Sequence, residues 1–225
     1  MRRLFSLVAL AALTLPASAQ DAPVPSDRDG IHVVGAWTLT VTDPDGSVVE
    51  RREFHNDLTA DGADFLALLL SQGHTTGDPM VGLLSDPSGT TDLCDSSSFI
   101  FNASGLDDGC YITTAEAVIP ALTLPYASRD LTVATMESGD GSGRAIGIRL
   151  AGSTTVKTTS EIGVVRTFFG ACTPDVAPET CTSVLPPGGF NVASNNAFTE
   201  RNLGGESLAV EAGQTVNVRV EISFE

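Results

Sequence analysis

From Val216 to Phe224 the chain alternates strictly, with Val216, Val218, Val220, Ile222 and Phe224 on one side and Asn217, Arg219, Glu221 and Ser223 on the other. A period of two is the mark of a strand with one dry face, and that face must be buried against a sheet. The same period recurs where Val33, Gly35, Trp37, Leu39 and Val41 oppose Thr38 and Thr40, and where Ile146, Ile148 and Leu150 oppose Ala145, Gly147 and Arg149. Met80–Leu84, Tyr111–Ile119, Leu131–Met136 and Ile162–Phe169 are further short strand candidates. Many short strands separated by turn residues predict a mainly β chain, an antiparallel β-sandwich. No internal repeat suggests a propeller or solenoid.

Two local signals break the run of strands. Asp43-Pro44-Asp45-Gly46 places Pro second in a turn and Gly where a left-handed residue is needed, so Val33–Val41 and Ser47–Phe54 read as a hairpin. An EF-hand would need further ligands and a distal Glu that this stretch lacks. After it, Thr59 to Asp64 offers a cap and first-turn acids, and Phe65, Leu66, Leu68, Leu69 and Leu70 supply an apolar face ending at Gly73. One short amphipathic helix is expected there, inserted after the first hairpin and packed as a plug over one end of a sheet.

The first residues read as processing signal. Met1-Arg2-Arg3 is a positive start, Leu4–Leu15 an apolar stretch, and Ala17-Ser18-Ala19 a small-residue cleavage site. The expected organisation is a signal peptide over residues 1–19, an extended Pro-rich leader over 20–30 and a single β-sandwich domain over 31–225. The product is expected to be secreted, on or outside a bacterial cell, without membrane insertion. Of the 225 residues, 12 are basic and 28 acidic, a net charge of −16 that becomes −18 once Arg2 and Arg3 are removed. Such a field argues against nucleic acid or an anionic membrane as partner.

Four cysteines in an exported chain point to disulfides, and they allow three pairings. Local pairing, Cys94 with Cys110 and Cys172 with Cys181, is expected because each pair brackets a loop-like segment. A zinc site would want a C-x2-C element, and none is present.

Chemistry is sparse. His32, His55 and His74 lack a companion nucleophile motif, and Gly139-Asp140-Gly141-Ser142-Gly143 is out of register with the serine-hydrolase signatures, which leaves a hairpin loop. No P-loop, dinucleotide fingerprint or H-E-x-x-H occurs. Acid pairs such as Asp27/Asp29, Asp43/Asp45 and Asp107-Asp108 are present, but Trp37 alternates with aliphatic residues, which makes it core rather than a sugar-stacking platform. The expectation is a non-catalytic protein with no cofactor and no metal.

Three short motifs carry a resemblance. Trp37-Thr-Leu-Thr-Val-Thr-Asp-Pro-Asp-Gly46, then Phe54-His-Asn-Asp-Leu-Thr-Ala-Asp-Gly62 leading into Ala63–Leu70, and finally Ala212-Gly213-Gln214-Thr215-Val216 opening the last strand, together resemble phage-type accessory structural proteins of tails and head fibres. The resemblance covers the first hairpin, the helix and the last strand, and it implies a structural role with no catalytic residue. Combined with the Sec-type signal and the cysteines, it implies a similar β module at work outside the cell. Self-association into a fibre, sheath or surface assembly is expected, with Val216, Val218, Val220, Ile222 and Phe224 as candidate assembly strand, or the leader, completing a neighbour's sheet. The alternative is a monomeric module that binds carbohydrate or another surface ligand through the Ser85–Gly109 and Gly170–Phe190 loops.

Overall fold

Alternating patterns of this kind leave the backbone little choice but to pair, and pairing organises nearly everything that the computed structural model describes: residues 32–72, 75–85, 93–94, 109–114, 127–172, 175–177, 180–181 and 197–224. Strands β1 (Val33–Thr42) and β2 (Val48–Leu58) form the first hairpin, and helix α1 (Ala60–Gln72) follows. Next come β3 (Thr75–Leu84), β4 (Gly109–Thr113), β5 (Ala127–Ser128), β6 (Thr132–Glu137) and β7 (Ala145–Thr155). The remainder is β8 (Ser160–Ile162), β9 (Val164–Cys172), β10 (Thr199–Asn202), β11 (Leu208–Val210) and β12 (Thr215–Phe224). The expected signal peptide and leader, residues 1–30, lie outside the described residues.

Ten strands join in the order β5-β4-β3-β9-β10-β2-β1-β12-β7-β6, every pairing antiparallel except that of β5 with β4; β8 and β11 pair separately. The joint in the middle is narrow: β10 meets β2 only through Thr199↔Leu58 and Glu200↔Asp57. Here the sheet folds over into two leaves, β6-β7-β12-β1-β2 and β10-β9-β3-β4-β5, which gives the expected sandwich. The two ends of the order are neighbours in the chain, since only residues 129–131 separate β5 from β6. Leu131 N–H donates to Thr113 O at 3.0 Å, tying that return to β4.

The core lies between the leaves. Trp37, Leu39 and Val41 of β1, Leu150 of β7 and Val216, Val218, Val220 and Ile222 of β12 face Val81, Leu83, Ile112 and Val165 of the other leaf, all essentially buried. Trp37 stacks on Phe54 across the hairpin, ring centroids 6.0 Å apart, so its place in the core is as the alternation implied. The hairpin turn also follows its sequence: Gly46 N–H donates to Asp43 O at 2.8 Å, and Gly46 has φ 86°.

Helix α1 is capped by Thr59, whose Oγ1 accepts the Gly62 N–H at 2.8 Å while its hydroxyl donates to Ala197 O. Phe65 and Leu66 turn onto the core, and Phe65 meets Phe198 edge to face at 6.2 Å. The helix therefore plugs one end of the sandwich.

Sequence and structure part at several strands. β12 is flanked along its length by β1 and β7, from Thr215↔Thr42 to Phe224↔Val33 on one side and from Thr215↔Thr155 to Ser223↔Gly147 on the other. The candidate assembly strand Val216, Val218, Val220, Ile222, Phe224 thus has both edges filled within its own chain and offers none to a neighbour, a correction of that expectation. Ile162–Phe169 is not one strand but two, because Gly163 leaves the ladder to donate to Leu84 O and accept from Leu203 N. The Tyr111–Ile119 candidate ends as a strand at Thr113, and its residues 115–119 lie outside the described ones.

Candidate functional site

Two surface features and an open edge stand out. The first is an apolar groove of about 270 Å³ at the plugged end of the sandwich. Its wall on the helix side is Phe65, Leu66 and Leu69; across from them lie Val133 of β6, Ile148 of β7, and Ile222 and Phe224 of β12, with Phe169 and Phe198 at its base. Those two rings pack edge to face at 4.9 Å, which holds the base in shape. Val133 and Phe224 remain 48% and 42% exposed, so the groove is open rather than sealed.

Beside it runs the edge of the first leaf. β6 pairs with β7 from Thr132↔Ala151 to Met136↔Gly147, then shifts register before Glu137↔Ala145. Among the described residues no strand pairs with its other side. Because Val133 is opposite the core residue Leu150, Val133 and Thr135 share the inner face, and Thr132, Ala134 and Met136 the outer.

The second feature is a polar trough of about 400 Å³ on the outer face of the same leaf. Ala36 and Thr38 of β1 form a low floor; Arg51, Glu53 and His55 of β2 rise on one side, Arg219 and Glu221 of β12 on the other. Each wall is internally paired. Arg51 Nη2 lies 2.6 Å from Glu53 Oε1, and Glu221 Oε1 accepts from Arg219 and, at 2.8 Å, from Arg149 Nε. The Arg219 hydrogen bond, then that from Arg149, holds the Glu221 carboxyl below the usual carboxylate range.

The four cysteines pair as Cys94–Cys110 and Cys172–Cys181, with Cα separations of 5.3 and 5.7 Å. The first bridge pins the buried pair Leu93-Cys94 into the sandwich, where Leu93 O accepts the N–H groups of Lys157 at 3.1 Å and Thr158 at 3.3 Å. The second ties the end of β9 beside Thr75, the first residue of β3.

Other residues singled out in the sequence act locally. Asp45 Oδ1 accepts from Ser47 N–H at 2.9 Å and Ser47 Oγ at 2.7 Å, and those bonds lower its pKa. Asp140 is lowered likewise by Ser142, within the β6–β7 hairpin loop. Asp43 accepts from Gln214 Nε2 at 2.8 Å. His32 is exposed and His55 lines the trough, whereas His74, Asp27, Asp29, Asp107 and Asp108 lie outside the described residues. So does most of the Ser85–Gly109 and Gly170–Phe190 loops.

Among the described residues no cluster of three His, Cys, Asp or Glu could hold a metal ion, and no helix is long and apolar enough to cross a membrane. The groove and the β6 edge escaped sequence reasoning because their residues, with Thr76, Gly77 and Pro79 of β3 among them, come from seven separate segments. The weak apolarity of Thr132–Met136 was their only sequence signal. Comparison with protein-family models, with curated proteins and with solved structures finds no match.

Proposed function

We propose that this protein is an exported, non-catalytic structural subunit that associates with copies of itself in an extracellular fibre, sheath or surface assembly. The observation that carries this reading is the β6 edge, which no strand among the described residues pairs, lying alongside an open apolar groove. A free row of N–H and C=O groups is a template for another strand, and adjoining apolar side chains add the dry contact that hydrogen bonds alone do not provide. The signal sequence, the two disulfides and the motif resemblance to phage-type accessory structural proteins support the same reading.

Light scattering and negative-stain microscopy of the mature chain, from residue 20 onward, test it. Concentration-dependent oligomers or ordered assemblies are expected; a strictly monomeric species at millimolar concentration overturns the reading.

A second reading, a monomeric module for carbohydrate or another surface ligand, is favoured by the polar trough, whose arginine, glutamate and histidine side chains are the groups that hydrogen-bond to polyols and carboxylates. A glycan array with wild-type protein and an Arg219→Ala, Arg51→Ala variant separates the two: glycan binding lost in the variant supports the module, and a blank array removes it.

A further inference from the structure

We propose that β6 pairs antiparallel with β6 of a second copy about a two-fold axis through Ala134, so that the first leaves of two molecules run on as one sheet. The proposal rests on the self-association reading above and names its surface.

Edges that must stay single are guarded by Pro, Lys, an inward charge or a bulge. From Leu131 to Met136 this edge has no proline and no charged residue, and its one irregularity comes after Met136. In a chain of net charge −16 this neutral stretch is where two identical copies can approach without opposing like charges. The partner is therefore a second copy of this chain rather than a cationic ligand, which would be drawn to the acidic remainder of the surface.

The register follows from geometry. Side chains opposite one another in a sheet share a face, and a two-fold axis normal to the sheet keeps inner faces inner, so only residues of like parity can pair. Two such registers pair five residues of β6. Centring on Thr135 brings Glu137 into the five paired residues, against the apolar Val133, whereas centring on Ala134 leaves it outside them. Centring on Ala134 instead matches Val133 with Thr135 twice, Thr132 with Met136 twice, and the small Ala134 with itself. It also leaves the two Glu137 side chains six residues apart along the strands, roughly 20 Å, beyond the screening length of physiological salt. The half-exposed Val133 gains a β-branched cross-strand neighbour on each inner face, and the two grooves come to lie side by side. Five paired residues and a groove rim are a small interface, so the contact is a weak one, roughly micromolar to millimolar.

The test uses the full mature chain. Ala134→Cys is expected to give a covalent dimer under mild oxidation, seen on a non-reducing gel. Thr132→Cys and Met136→Cys should stay monomeric when oxidised separately and cross-link when mixed. Val133→Lys, at an exposed position that leaves folding intact by circular dichroism, should weaken self-association at least tenfold by sedimentation, whereas Val133→Thr should not. If wild type associates but Ala134→Cys fails to cross-link and Val133→Lys changes nothing, the β6 interface is overturned while self-assembly stands on another surface. If wild type sediments as a monomer at millimolar concentration, both fall.

Discussion

A Cβ added at Gly35 would lie 1.9 Å from Asn56 Oδ1, so this position tolerates no side chain while Asn56 stays where it is. Asn56 cannot easily move, because its Nδ2 donates to Thr199 Oγ1 at 2.6 Å, and Thr199 in turn shares a 2.6 Å hydrogen bond with Thr167. All three are buried, and the chain they form crosses from β2 through β10 to β9, at the narrow joint between the leaves. Gly35→Ala is therefore expected to cost about 3 kcal/mol, overpacking plus a disturbed buried hydrogen bond, read as a lowered urea midpoint with unchanged slope. Glu221 behaves differently. Its folded pKa is depressed by Arg219 and Arg149, so its contribution is present above the unfolded value near 4.5 and is lost as pH falls through the lower folded one. Glu221→Gln should cost about 0.5 kcal/mol at pH 7, the scale of a surface ion pair, and the gap to wild type should close below pH 4.5 in a pH series of melts. Arg166 is the more costly ion pair to break, being 2% exposed with Glu200 Oε2 2.6 Å from its Nε. Glu200→Ala should lower stability by about 2 kcal/mol, measured by chemical denaturation.

At the scale of elements, the disulfide between Cys94 and Cys110, sixteen positions apart, anchors a segment that contributes the fully buried Leu93. Replacing both cysteines by Ala should cost about 3 kcal/mol, seen as a lowered melting temperature that the Cys172–Cys181 pair does not rescue. Elements with a strong local signal were legible beforehand: β1, β7 and β12 by alternation, α1 by its cap and leucines, the first turn by Asp-Pro-Asp-Gly. What stayed hidden has a common cause. β8, β10 and β11 are three or four residues long, too short for any period to show, and their strand character comes from neighbours rather than from their own residues. β3 begins at Thr75, well before the apolar run at Met80, because Thr75 and Thr76 pair with Cys172 and Ala171 across an irregularity. The role of β12 was misread for a related reason: alternation tells which face is dry but nothing about how many edges are filled. The same blindness concealed the groove and the β6 edge, which exist only after distant strands are placed side by side.

For the molecule as a whole, acidity and association pull against each other. Two copies at −16 repel over about 30 Å at 0.01 M salt but only about 8 Å at 0.15 M, so self-association should strengthen several-fold across that range by sedimentation equilibrium. An association that weakens with added salt would instead implicate the opposite charges of the trough. The position of β12 has a further consequence. The strand at the centre of the first leaf is the last described strand to be synthesised, and its register partners on β1 lie more than 170 residues back, as in Val41↔Val216 and Val33↔Phe224. Until residues 215–224 arrive, β1 and β7 have no common neighbour and the core layer of Val216, Val218, Val220 and Ile222 is missing. Such distant pairing delays folding, since the loop it closes spans almost the entire domain. The first leaf is thus closed last: the chain stays pliable through most of its synthesis and locks into shape only when residues 215–224 slot between β1 and β7.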